Sequence, residues 1–356
     1  MNAKTTLPVG GEGLSLEGSD VPTYILTNLE FEYELFMPNM RKLSPAVREH
    51  STRFQHILRL LPGLEQASLW AAGENKGALT PWGVTPTLDG DSRFPPLSTV
   101  REVNDKRFSH KLEQKLGIAL PYSALVRNSE ELESRVATCP HDWVLKHPFG
   151  VSGRERMLNR QGVLTESVAG WARKLFAQGL GLVFEPWVSE RSDYSLHYQI
   201  ERDVGVTFLG RCEIFPDQGG VYRGNLHDPN ARKPPIADLI IKKVVQTGYW
   251  GPVSLDCFQG SLAGVPVARP LVEINARHTF GRLTLALKRW APEGEAVLWW
   301  HPMKPPRGRY PRLPENPQAD CSSGWYRLPK FADLDHRTGT LVGIGAATQT
   351  LPEEIF

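Results

Sequence analysis

Polar and apolar positions along this chain repeat with two periods, and the changes of period mark out its elements. Between Asp256 and Arg277 the period is two: Glu273, Asn275 and Arg277 fall on one side of an extended strand, while Val272 and Ile274 fall on the other, toward a core. Similar alternation and short apolar runs predict strands over 23–27, 143–146, 181–187, 194–200, 206–214, 253–258, 271–275 and 340–344. Helical spacing takes over at Phe54, Ile57, Leu58 and Leu61, and again at Phe108, Leu112 and Leu116. For the second helix Asn104 is the expected cap and Gly117 the stop. Ser129 opens another helix, with Glu130 and Glu131 at the positive end of its dipole, and Leu283, Leu287 and Trp290 form the face of one after Phe280.

Punctuation divides the chain. Residues 1–20, rich in Gly and Ser, read as a flexible tail, and 21–103 as a small N-terminal α/β domain. Prolines 302, 305, 306, 311, 314 and 317 exclude regular helix and make 301–356 an irregular segment before its last strand. No apolar leader and no run of 18 apolar residues is present, which points away from secretion and membrane.

Charge narrows the function classes. With 41 Lys+Arg against 39 Asp+Glu the formal charge is +2, so no basic stripe calls for nucleic acid. Cys139, Cys212, Cys257 and Cys321 are far apart with no CxxC, as expected for reduced core thiols in a cytoplasmic protein; Cys257, beside Asp256, is the one placed to react.

The candidate chemistry lies on strand ends. Asp256, Glu273 and Asn275 offer hard oxygens of the kind Mg²⁺ takes when phosphates complete its shell, and Arg277 can hold an anion; a sheet face that meets solvent explains the Glu273-Asn275-Arg277 row equally well. Lys146 ends a strand on the face opposite Trp143 and Leu145, and the small-residue loop after it, with Gly150, Ser152, Gly153 and Arg154, suits a flap over phosphates; a short hairpin explains the same residues. His147 in that loop is open to a lining or a structural role. Lys106, at a helix start, can reach the same phosphates. At Glu185-Pro186-Trp187-Val188 a strand end can read adenine, Pro186 only as acceptor and Val188 as donor, with Asp193 near for ribose hydroxyls. The stretch around Tyr222 and Arg223 either faces the site or is a turn made by Gly219, Gly220 and Gly224. Arg282 is open to a surface role.

Taken in order, Asn-Asp-Lys106, Trp-Val-Leu-Lys146, Phe-Glu185-Pro-Trp-Val188 with Asp193, Gly-Pro-Val-Ser-Leu-Asp256 and Glu273-Ile-Asn275-Ala-Arg277 resemble the ATP-grasp superfamily over about residues 104–290. The resemblance implies an α+β fold in which two α+β subdomains, 104–187 and 188–300, grip ATP. It implies Lys106 and Lys146 on the phosphates, Ser152, Gly153 and Arg154 in a lid, Glu185, Pro186, Trp187 and Val188 at the adenine, Asp193 at the ribose, and Mg²⁺ on Asp256, Glu273 and Asn275. Arg277 and Arg223 are the implied catalytic arginines. The implied activity is that of a carboxylate-amine ligase acting through an acyl phosphate on a small carboxylate and an amine such as an amino acid or peptide. A homodimer is common in the superfamily. Phosphoryl transfer without ligation, bicarbonate activation and nucleotide binding without catalysis are the alternatives.

Overall fold

Among the described residues the alternating stretches pair into three sheets. The computed structural model describes residues 21–36, 49, 51–71, 77–150, 156–160, 162–217, 221–302, 309–317, 321–332 and 339–349. The tail 1–20, the loop residues Ser152, Gly153 and Arg154, and Gly219 and Gly220 lie outside them.

The first sheet is parallel, with β1 (Thr23–Leu26) between β2 (Ser68–Leu69) and β3 (Ala78–Pro81). Helix α1 (Phe31–Phe36) follows β1. The helical spacing at Phe54 to Leu61 becomes a short 3₁₀ turn, Ile57–Leu60, ended by Pro62 and Gly63. Helix α2 (Leu97–Asn104), which the spacing did not announce, is followed by α3 (Lys106–Leu116). Asp105 between them is extended, and its carboxylate accepts from the Arg107 N–H at 2.8 Å. The cap of α3 is therefore Asp105, not Asn104. Asn104 ends α2 instead, and its Oδ1 accepts from the Ala276 N–H at 2.9 Å, pinning the end of the metal-candidate strand. Gly117, at φ 69°, closes α3 in the left-handed region as expected.

The second sheet is antiparallel, in the order β4 (Ala124–Val126), β7 (Leu182–Pro186), β5 (Trp143–Lys146), β6 (Arg156–Asn159). Helices α4 (Ser129–Thr138) and α5 (Glu166–Phe176) accompany it, capped by Asn128 and Thr165. Trp143, Leu145, Leu182 and Phe184 are buried in its core.

The third sheet has eight antiparallel strands. Its order is β12 (Val265–Asn275), β11 (Gly251–Leu262), β8 (Ser189–Glu201), β9 (Gly205–Pro216), β10 (Tyr222–His227), β13 (Val297–Trp300), β15 (Leu341–Ile344) and β14 (Gly324–Arg327). Helices α6 (Ile236–Val245) and α7 (Phe280–Ala286) belong to the same part of the chain. Of the two readings of the Tyr222 stretch the turn is not found, since Tyr222–His227 is a strand, and the proline-rich end contributes a second strand, Gly324–Arg327, beside the expected one.

Leu255, Leu271, Ile274 and Trp299 of the large sheet share one continuous core with Ile25, Phe31 and Trp82 of the N-terminal sheet. The described residues of the N-terminal part thus pack as part of the large-sheet body. Among the described residues, no helix is long and apolar enough to cross a membrane.

Candidate active site

A cleft of about 630 Å³ opens between the four-stranded and the eight-stranded sheets, a size within the usual range for a small-molecule site. Its floor is one face of the large sheet. In the ladder Asp256 lies opposite Glu273 and Ser195, and Ser254 opposite Asn275 and His197, so the polar side chains fall in rows. Lys146 and Arg156 face this floor from the small sheet, and Lys106 from the first turn of α3.

Lys106, Lys146, Arg191 and Arg277 each meet a carboxylate. The Lys106 Nζ lies 2.5 Å from Oε2 of Glu273 and donates to the Gly150 carbonyl at 2.8 Å. The Lys146 Nζ lies 2.5 Å from Oε2 of Glu185. Arg277 donates to Oδ1 of Asn275 at 3.0 Å and pairs with Glu32 of α1. Asp193 pairs with Arg191, whose guanidinium lies 4.2 Å from the Phe258 ring centroid.

Asp256 is the group out of balance. Burial and then the neighbouring Glu273 charge push its carboxyl up to about 8, although Arg277 and Asn275 oppose this. Burial also acts on Glu273, but Lys106, Lys146 and Arg277 outweigh it and hold Glu273 below the usual range. Two adjacent carboxylates and an amide are a donor set short of positive charge, and that fits a hard divalent cation completed by phosphate oxygens. It is not a self-sufficient metal cage: among the described residues no group of three His, Cys, Asp or Glu side chains could hold an ion.

Lys106, Lys146, Trp187, Asp193, Asp256, Glu273, Asn275 and Arg277 all line the cleft. Pro186 and Val188 flank Trp187, whose N–H is committed to the Asp142 carbonyl at 2.6 Å. The Glu185 side chain is buried behind the cleft, where it accepts from Arg269 and faces Lys146. Arg223 is not a lining residue: its guanidinium is folded onto Asp217 at 2.6 Å, and a bulge between Tyr222 and Gly224 sends Tyr222 and Asn225 to the cleft instead. Val272 also reaches the cleft, beside the bulge between Asp256 and Phe258, and Ile274 alone of that pair enters the main core. His147 lines the cleft as a neutral ring, lowered to about 4 by burial and then by Lys106 and Arg107, and its Nδ1 accepts from the Phe149 N–H. Arg282 donates to Gln199 at 3.4 Å and is not a lining residue. Burial, then Asp256, pushes the Cys257 thiol well up, so it is no nucleophile at neutral pH.

Sequence reasoning missed Ser195, Arg191 and Asn225, although the period-two row 193, 195, 197 on β8 carried the signal for the first. Ser195 and His197 hold each other at 2.8 Å, the imidazole being lowered to about 3 by burial, Arg282 and His227. Gly281 packs directly against this pair: a Cβ there would lie 2.4 Å from Nε2 of His197 and 3.3 Å from Oγ of Ser195. Gly281→Ala is expected to lower stability by about 1–3 kcal/mol, read as a lower midpoint of thermal unfolding. An unchanged midpoint would show that this part of the floor yields.

No family model matches the sequence, and no curated protein matches it. Solved structures do. N5-carboxyaminoimidazole synthetase from Staphylococcus aureus, complexed with ADP, is 12% identical with a TM-score of 0.51 over 79% of this chain and 82% of that one. The biotin carboxylase domain dimer of Hydrogenobacter thermophilus 2-oxoglutarate carboxylase, in complex with MgADP, ADP and bicarbonate, is 13% identical with a TM-score of 0.51 over 91% and 86%. Biotin carboxylase from Campylobacter jejuni, in a βγ-ATP complex, is 12% identical with a TM-score of 0.51 over 92% and 88%. These likenesses show the fold: the chain has the α+β ATP-grasp fold.

Proposed function

We propose that this chain is an ATP- and Mg²⁺-dependent carboxylate-amine ligase. One observation carries the proposal: Lys106 and Lys146 face Asp256, Glu273 and Asn275 within a single cleft whose volume suits a nucleotide and a small acid. The fold also occurs in proteins solved with ADP, MgADP and βγ-ATP, which supports a nucleotide as the occupant.

In this proposal the Pro186 carbonyl and Val188 N–H read the adenine, and Asp193 takes the ribose hydroxyls. Lys106 and Lys146 contact the phosphates. Asp256, Glu273 and Asn275 would hold Mg²⁺. When bound, the ion would supply neutralisation of the charge that develops on the transferred phosphoryl group. Arg277, braced by Asn275, holds the acid's carboxylate in line with the γ-phosphorus. A carboxylate oxygen attacks phosphorus, the bond to ADP breaks, and an acyl phosphate forms. An amine then attacks the carbonyl carbon, phosphate departs with the C–O electrons, and the amine gives its proton to solvent. Such a sequence asks for positioning and charge neutralisation, not a protein nucleophile.

A second reading takes bicarbonate as the acid, because bicarbonate is bound in one structure of this fold. Phosphate release from ATP, screened over acids paired with amines and with bicarbonate, separates the two. Release that needs both acid and amine, with an amide detected by mass spectrometry, is expected, and Lys146→Ala should lower it roughly 10²–10³-fold. Release that needs bicarbonate supports the second reading, and a stable phosphorylated acid without amine would contradict ligation.

A further inference from the structure

Behind the cleft lies a row of charges that the proposed chemistry leaves unexplained. Arg269 of β12 is 1% exposed and donates Nε and Nη2 to the two carboxylate oxygens of Glu113, both at 2.7 Å. Its Nη1 and Nη2 also donate to Glu185 at 2.8 and 2.6 Å. Glu185 in turn faces Lys146 at 2.5 Å. The order is Glu113, Arg269, Glu185, Lys146, with alternating sign and no net charge. Only Lys146 reaches the cleft.

One guanidinium therefore ties two other elements to its own strand. Glu113 lies on α3, which begins at Lys106; Glu185 lies on β7, next to the strand of Lys146; and Arg269 shares β12 with Glu273 and Asn275. Glu185 is buried, yet Arg269 and Lys146 hold its carboxyl far below the usual range. A buried carboxylate of this kind with one counter-ion would bind that ion tightly, and removing the ion would leave an uncompensated charge. With two counter-ions, one can depart.

We propose that Arg269 is a positioning residue: it is the standing counter-ion of Glu185, and so it frees Lys146 to leave Glu185 for a phosphate in the cleft. The phosphate rests on the nucleotide reading above; the hold on Lys146 does not. Arg191 and His110 also face this group of charges. Neither hydrogen-bonds to Glu185 in the way Arg269 does, through two nitrogens.

Arg269→Met alone strands Glu113 and can fail to fold, so the test uses Arg269→Met with Glu113→Gln, and the same pair with Glu185→Gln added. MgADP binding is measured by calorimetry for wild type and both variants after circular dichroism establishes that each is folded. The double variant should bind at least tenfold more weakly, because Glu185 now keeps Lys146. The triple variant should return to within threefold of wild type, which a purely structural role for Arg269 would not produce. On the nucleotide-free proteins, acylation of the Lys146 amine, followed by mass spectrometry, should slow at least fivefold in the double variant and recover in the triple. Wild-type acylation rates in the double variant would overturn the proposal whether or not the protein binds MgADP. Failure of wild type to bind MgADP, with the acylation pattern intact, would remove the nucleotide and leave the role of Arg269 on Lys146.

Discussion

Asp256→Asn is expected to make the nucleotide-free protein more stable and its turnover roughly 10²–10³-fold slower. The cause is the carboxyl held up at about 8 by burial and by Glu273. In the unfolded chain the same group ionises near 4. Because the folded value is the higher one, the unfolded state sheds its proton first as pH rises. Stability is lost between about pH 4 and pH 8 and stays low above that window. Asparagine removes this loss while retaining the shape of the side chain. At pH 8 the gain is a few kcal/mol, which in a chain of this size raises Tm by roughly 5 °C. Below pH 4 variant and wild type should unfold alike. Thermal unfolding at several pH values checks this, and a variant less stable than wild type at pH 8 would contradict it. The same linkage makes cation binding release a proton below pH 8, so apparent Mg²⁺ affinity should rise with pH up to that point.

Glu273→Gln is expected to reduce turnover by the same 10²–10³-fold, with a different effect on stability. Glu273 is the anionic partner of Lys106 at 2.5 Å and sits opposite Asp256. Glutamine removes one of two candidate anionic ligands and also relieves the pressure on Asp256, whose carboxyl then ionises at lower pH. Lys106 keeps the Gly150 carbonyl at 2.8 Å, so the fold survives. Steady-state kinetics at saturating ATP, with circular dichroism as the control, test this. Turnover near wild type in a folded Glu273→Gln protein would remove Glu273 from the chemistry.

Short-range pattern made the floor of the cleft visible in the sequence. Period two placed Glu273 and Asn275 on one face, and the ladder puts Asp256 opposite Glu273. The helix from Lys106 and the strand ending at Lys146 were legible from apolar spacing and from a stop at Gly117. Side-chain partnerships across long separations were not. Arg269 meets Glu113 from 156 positions away and Glu185 from 84, and no local period encodes such a meeting. Glu32 reaches Arg277 from another sheet's domain for the same reason.

Strand β10 was hidden by its glycines. Gly224 reads as a turn residue, yet it is needed because a Cβ there would lie 2.5 Å from the Trp299 carbonyl of the neighbouring strand. Helix α5 was missed although Thr165 caps it and Val168 and Ala172 are spaced four apart on its buried face. The absence of Arg223 from the cleft lining follows from a bulge that shifts the alternation by one.

In the proposed function the carboxylates of β11 and β12 and the ammonium groups of Lys106 and Lys146 grip one magnesium nucleotide between the two sheets. A crystal structure of the protein grown with Mg²⁺ and a non-hydrolysable ATP analogue tests it most directly. The expected result is a cation at about 2.0–2.1 Å from oxygens of Asp256, Glu273 and Asn275, with the triphosphate between it and the two lysines. A nucleotide seated outside this cleft, or a cation held without those three side chains, would contradict it.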